Sequence, residues 1–174
     1  MTSMGLVSKN AYINILSVAT GIYGRVTAAS TGYIGESLNT SITSGTFSNT
    51  GTTSGTYGDL STPLNTPILS AGIWLIIVNG GGLFNTSGTA GQTGGVGAYR
   101  ITDSNSTVLE LWSEVFVNLS AGAGQDMTVS LSTIYSNTAP ASVHFQPGCW
   151  NFTGGNTTTF SIRNPMTIRA QRIA

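Results

Sequence analysis

The sequence predicts an all-β fold, a sandwich or jelly roll of seven or eight antiparallel strands, and three observations lead there. Glycine totals 23 and is spread among β-branched residues, the texture of short strands joined by tight turns. No window places apolar residues at i, i+3, i+4 and i+7 with helix formers between them. Residues 73–78, Ile-Trp-Leu-Ile-Ile-Val, form an apolar run that Gly72 leads in and Asn79 and three glycines close. The run is too short for a membrane span and too rich in Ile, Val and Trp for a helix turn. It reads as a central strand of the sandwich, buried on both faces.

Along the chain, residues 1–30 read as a short N-terminal arm and residues 31–174 as the sandwich. In the arm, Tyr12-Ile13-Asn14-Ile15 alternates as a short strand does, Ala19-Thr20-Gly21 breaks it, and residues 23–26 offer another. Strands are expected at 33–42, 73–78, 97–103, 108–119, 127–135, 144–145, 157–163 and 166–173. In the fourth of these, Val115, Val117 and Leu119 share one face. Turns are expected at 79–82, 103–106, 121–125, 137–140 and 154–156. The tract 44–62 has the look of low complexity, but Phe47 and Tyr57 within it favour a strand plus a loop over a linker.

Charge is scarce. Six basic and six acidic residues make 7% of the chain, against roughly 25% in ordinary soluble domains. Disorder is disfavoured, because 40% hydrophobic residues at zero net charge can fill a core. Solubility then falls to Ser, Thr and Asn, as on a β surface laddered with hydroxyls. Nothing here clusters enough Lys or Arg to neutralise phosphates, so no nucleic-acid partner is expected. Arg163, Arg169 and Arg172 read as edge and terminal charges that discourage sheet-to-sheet aggregation. The N-terminus lacks a signal-peptide pattern, and no stretch is long enough to cross a bilayer.

The search for chemistry returns little. His144 is the sole histidine, between Val143 and Phe145, and no G-x-S-x-G elbow accompanies it. One His and one Cys cannot build a zinc site, and Cys149 has no intrachain disulfide partner. Its setting, Pro147-Gly148-Cys149-Trp150, reads as a turn entering a strand. Glu110 and Glu114 stand four residues apart. In a strand that is about 13 Å, beyond either glycosidase spacing, so they read as solvent-face carboxylates beside Trp112. Asp103-Ser104-Asn105-Ser106-Thr107 lacks the glycine of a calcium loop and reads as a polar hairpin turn. Gly80-Gly81-Gly82 and Gly94-Gly95-Val96-Gly97 lack the lysine of a phosphate loop and open no helix, so they read as loop glycines. Trp74 is assigned to the core. Trp112 and Trp150 are open between packing and stacking on a sugar ring, with packing favoured. No enzyme activity, cofactor or metal is expected.

Four segments carry a resemblance. Thr31-Gly32-Tyr33-Ile34-Gly35-Glu36 is followed by Thr43-Ser44-Gly45-Thr46, then by residues 69–82, then by Met166-Thr167-Ile168-Arg169-Ala170-Gln171-Arg172. That order resembles a jelly-roll domain common on the exterior of tailed-bacteriophage particles, at tail-fibre tips and in related virion surface proteins. Its members read roughly GEYI, a Thr/Ser-rich strand with SGT, LTAGDWDVSGNV and a terminal GTISARRVR-like strand. The resemblance implies an antiparallel β-sandwich of jelly-roll type, a homotrimer and a place on the virion exterior. Two roles are compatible with it. One is a capsid decoration (cement) protein that stabilises the head by binding the major capsid protein. The other is a receptor-binding tip that joins a tail-fibre protein to a host surface glycan. An arm of thirty residues suits pinning to a neighbouring surface better than reaching a tail, so cement is the expected role. Lys9, Tyr12, Ile13, Ile15, Tyr23 and Arg25 are its expected docking residues. The chain departs from the family pattern where Ile73 and residues 75–78 replace alternating polar positions, which hints at an extra covering surface such as a subunit interface. Gln171 also stands where the pattern has Arg.

If no chemical step is involved, replacing His144, Glu110 or Glu114 with Ala should leave particle assembly and infectivity intact. Each should cost about 1 kcal/mol of stability or less. Loss of a hydrolytic activity in any one variant would overturn this reading.

Overall fold

The computed structural model describes residues 34–87, 93–118, 124–152 and 154–174. The expected docking residues Lys9, Tyr12, Ile13, Ile15, Tyr23 and Arg25 lie outside them. Nine strands run in order: β1 Ser37–Ile42, β2 Thr46–Asn49, β3 Leu64–Asn65, β4 Gly72–Ser87, β5 Thr93–Asp103, β6 Val108–Asn118, β7 Gly124–Asn137, β8 Val143–Asn151 and β9 Thr157–Arg172. No helix occurs among the described residues.

The strands form two antiparallel sheets, β1-β9-β4-β7 with β2 also on β9, and β3-β8-β5-β6. The pairs nest: β5 with β6, β4 with β7, β3 with β8, and β1 and β2 with β9. This is one long hairpin wrapped until β9 lies beside β4 and β8 beside β5. The sequence expectation of a jelly-roll sandwich holds.

Several local readings are corrected. The three glycines 80–82 do not turn the chain; β4 runs straight through them. Their reason is packing, since a Cβ on Gly82 would collide with the Phe160 ring. Gly94, Gly95 and Gly97 likewise lie inside β5 rather than in a loop, and a Cβ on Gly97 would sit 2.7 Å from the Phe84 ring. Residues 147–150 lie within β8. The Pro147 carbonyl accepts from Gly58 N at 3.1 Å, so its missing N–H falls on that side and not on the β5 ladder. The two strands expected at 157–163 and 166–173 are one, β9, bulged around Pro165. Between the pairs Asn79–Thr167 and Gly82–Ile162, three steps on β4 face five on β9. Two extra residues preserve the alternation, so Phe160, Met166, Ile168 and Ala170 all point inward. Arg169 and Arg172 therefore sit on an inner strand between β1 and β4, not on an edge. The short β3 was not anticipated; Asn65 and Pro67 obscure it in the sequence.

The core lies between the sheets. Trp74, Ile76, Val78, Phe84, Val129, Phe160, Met166 and Ile168 meet Leu64, Tyr99, Ile101, Phe145 and Cys149. Burying each large apolar side chain contributes about 1.5–3 kcal/mol. At one end a buried polar network joins the sheets. Thr158 Oγ1 donates to Asn151 Oδ1 at 2.5 Å and meets Thr86 Oγ1 at 2.9 Å. A hydroxyl has one proton, so Thr86 is the donor of that pair. The Asn151 amide donates to the carbonyls of Asn156, Asn49 and Gly51 at 3.0, 3.2 and 3.3 Å.

Two substitutions test this packing. Gly82→Val should overpack the Phe160 site and lower stability by about 1–3 kcal/mol or more. Asn151→Leu removes the acceptor of the buried Thr158 hydroxyl and the amide donor to the Asn156 and Asn49 carbonyls, and should cost about 1–3 kcal/mol or more. Urea midpoints of both variants within experimental error of wild type would contradict the assigned roles.

Candidate functional site

Alternation along each strand gives the sandwich two outer faces, and the chain treats them differently. Part of the outer face of the second sheet is covered by the Tyr57 side chain, carried by residues 51–58 as they run along the edge of β8. This segment follows β8 through Asn151 N to Gly51 O, Cys149 N to Thr56 O and Gly58 N to Pro147 O, each at 3.1 Å. The Tyr57 ring lies on Gly148, where any Cβ would collide with it. Arg100 stacks 4.4 Å above that ring and donates twice to Gln146 Oε1, at 2.9 and 2.8 Å. Gln146 in turn donates to Asp59 at 3.0 Å. Burial raises the Tyr57 pKa, against the opposing pull of the Arg100 charge. Trp150, half-buried, meets Tyr57 edge-on at 6.3 Å. Val96 and Ala98, which share this face, are buried.

The outer face of the first sheet has no such cover among the described residues. On β4, Trp74, Ile76 and Val78 point inward, whereas Ile73 is 37% exposed and Leu75 and Ile77 are only half-buried. The expectation that this strand is buried on both faces is therefore corrected: one face is open. Leu75 stands directly opposite Ile134 of β7, which is 65% exposed. Ile73 exchanges backbone hydrogen bonds with residues 173 and 174, placing Ile173, 42% exposed, beside it. Ile73, Leu75, Ile77, Ile134 and Ile173 thus form one apolar ridge across three strands.

Around the ridge the face is almost uncharged. On β7 it shows Thr128, Ser130, Ser132 and Ser136, and on β4 and β9 it shows Asn79, Thr167 and Gln171. The expected hydroxyl ladder exists: Ser48 meets Thr159 at 2.8 Å, Thr50 meets Thr157 at 2.9 Å, and Thr167 donates to Ser41 at 3.3 Å. Arg169 leans away from the ridge to Ser37 Oγ at 3.2 Å. At the far end Gly80, Gly81 and Gly82 floor a shallow depression of about 560 Å³, bordered by Asn164 and by Asp126 and Arg163, paired at 3.4 Å.

The residues weighed for chemistry stay apart. His144 Nε2 pairs with Ser142 Oγ at 2.9 Å. Glu110 is half-buried and accepts from the Leu111 N–H at 3.3 Å; Glu114 falls opposite Gly97 on β6. Asp103 Oδ1 accepts from Asn105 N and Thr107 N at 2.9 and 2.8 Å, as a hairpin turn requires. Trp112 stacks on Tyr99 at 4.3 Å and packs against the core. No group of three metal-ligating side chains occurs among the described residues. Sequence reasoning missed Ile134 and Ile173 as members of the ridge. Ile134 was readable, because it shares parity with Ser130, Ser132 and Ser136 and not with buried Val129, Leu131 and Tyr135.

No protein-family model matches the chain, and no curated protein matches it. Among solved structures, the infectious bursal disease virus Gx strain is similar over 92% of this chain and 43% of that one, at 16% identity and a TM-score of 0.41. The Gt strain of that virus gives 14% identity over 92% and 43%, with a TM-score of 0.40. Its VP2 subviral particle gives 13% identity over 79% and 38%, with a TM-score of 0.38. The chain spans less than half the length of each of these chains.

Cys149 supplies a test of the closed interior. Burial pushes its thiol up to about 12, against a hydrogen bond from the Asn49 backbone that lowers it. The folded state thus holds the neutral thiol where the unfolded chain ionises. Stability should be flat below about pH 8.5 and fall as pH rises toward 12, by up to about 1.4 kcal/mol per pH unit. Tyr57 and Tyr135, also raised by burial, add to the fall in the same direction. Urea melts between pH 6 and 10.5 should show this, and Cys149→Ala should flatten the first part. An iodoacetamide reaction as fast as that of a free thiol at pH 8 would contradict a sealed core.

Proposed function

We propose that the chain is a structural protein of a virus particle's exterior, in the role of a capsid decoration protein that stabilises the head by gripping the major capsid protein. Jelly rolls serve many functions, so the fold alone does not choose one. The observation that carries the reading is where the phage-like segments lie. Ile34, Gly35 and Glu36 lead into β1, with Gly35 N bonded to Arg172 O at 2.9 Å. Gly45 and Thr46 open β2, residues 72–82 belong to β4, and residues 166–172 to β9. All four segments therefore meet on adjacent strands of one sheet. Among the described residues, the side chains that bear chemistry are scattered, which suits a structural part.

Attachment falls to the arm through Lys9, Tyr12, Ile13, Ile15, Tyr23 and Arg25. Strand addition to a neighbouring chain suits a short alternating segment: main-chain hydrogen bonds give affinity, and alternate side chains fill pockets. A receptor-binding tail tip is the second reading. Half-buried Trp150 beside Tyr57 favours it, because aromatic faces on a sheet can stack on sugar rings.

Deleting residues 1–25 should abolish binding to undecorated capsids. Binding of the intact protein should hardly weaken between 50 and 500 mM salt, since only Lys9 and Arg25 in that segment are charged. Unchanged binding of the truncated protein overturns the arm's role. Binding to host cells but not to capsids replaces decoration with the tail tip.

A further inference from the structure

The geometry points to the outer face of the first sheet as a self-association surface whose occupant is the same face of a second copy, packed about a two-fold axis near Leu75. This inference is independent of the virion role. It begins with a cost: Ile73, Ile134 and Ile173 stand 37%, 65% and 42% exposed in one group with half-buried Leu75 and Ile77. A sheet with one solvated face normally alternates apolar in and polar out. Here β4 alternates in burial but not in chemistry.

The size fits. Four strands about 4.8 Å apart and ten residues at about 3.3 Å give a face of roughly 600 Å² in projection. A stable interface needs about 800 Å² of accessible surface per partner, which a corrugated face of that footprint can supply. The ridge alone is too small, so the surrounding hydroxyls must be included. Their chemistry selects the partner. In a two-fold contact each patch meets its own copy, so a charged rim would set like against like. Ser130, Ser132 and Ser136 carry hydroxyls that both donate and accept, and two identical rims of that kind can pair. Among the described residues the cation nearest the ridge, Arg169, is turned toward Ser37, and Arg163 is matched by Asp126 at the far end. An apolar centre within a neutral polar rim is the anatomy of a protein interface. On the other outer face the Tyr57 ring, stacked under Arg100, already covers Gly148 and part of the sheet.

Two sheets facing each other in this way would pack about 10 Å apart. Sedimentation equilibrium of the full chain should show two chains per particle, or six if trimers pair through this face. Ile134→Ser combined with Ile173→Ser removes two exposed side chains and should weaken association at least about tenfold. Unchanged thermal melts of the dissociated variant would exclude unfolding as the cause. Leu111→Ser, on the outer face of the other sheet and 53% exposed, should leave association intact. Leu75→Cys should form an intermolecular disulfide with diamide, since the native Cys149 is buried. A wild-type monomer at 50 µM, a species of three chains, equal weakening by Leu111→Ser, or no Leu75→Cys cross-link would each overturn the proposal.

Discussion

The sandwich depends on two glycines facing two phenylalanines. Phe84 and Phe160, neighbours on β4 and β9, meet at 5.0 Å, and Phe160 reaches Phe145 of the second sheet at 6.2 Å. From Phe145 the line passes to Tyr99 at 6.1 Å and ends on Trp112. Phe160 lies where any side chain on Gly82 would be, and Phe84 lies where one on Gly97 would be. Sheets about 10 Å apart leave room for one interdigitated layer of side chains. Placing large rings there requires empty positions beside them, and the strand glycines provide these. The bulge on β9 adds two residues, which keep both halves of that strand facing the core.

A second constraint is the scarcity of charge. Polar surface is made from hydroxyls bonded across strands, Ser48 to Thr159 and Thr50 to Thr157 among them, and not from solvated Lys and Glu. Such ladders stiffen the sheet but leave apolar neighbours poorly shielded. The molecule meets this on one side with its own chain, by laying Tyr57 over Gly148 beneath Arg100. On the other side no described residue covers the ridge around Leu75.

Catalysis needs groups held within hydrogen-bond reach of one another, and His144, Cys149 and Glu110 are each tied to a local partner or sealed in the core. What the described surface offers is a nearly uncharged face that carries an apolar ridge.

The sequence by itself determined the fold class, because alternation along strands and the lack of any helical period depend only on neighbours in the chain. It placed the hairpin turns at 103–106 and 154–156, where local chemistry such as the Asp103 side chain closes the loop. It also identified the 73–78 strand as central and as unusual in its outward positions. It misread the glycines at 80–82 and 94–97 and the Pro-Gly pair at 147–148; among these, Gly82, Gly97 and Gly148 make room for the rings of Phe160, Phe84 and Tyr57. A glycine that turns the chain and one that makes room for a ring look the same in one dimension. Only the tertiary structure could show that Ile134 and Ile173 join Leu75 in one ridge, because strand order and register bring together residues about sixty to one hundred positions apart. Only it could show that the Tyr57 ring lies over Gly148, since residues 51–58 find their place through hydrogen bonds to β8.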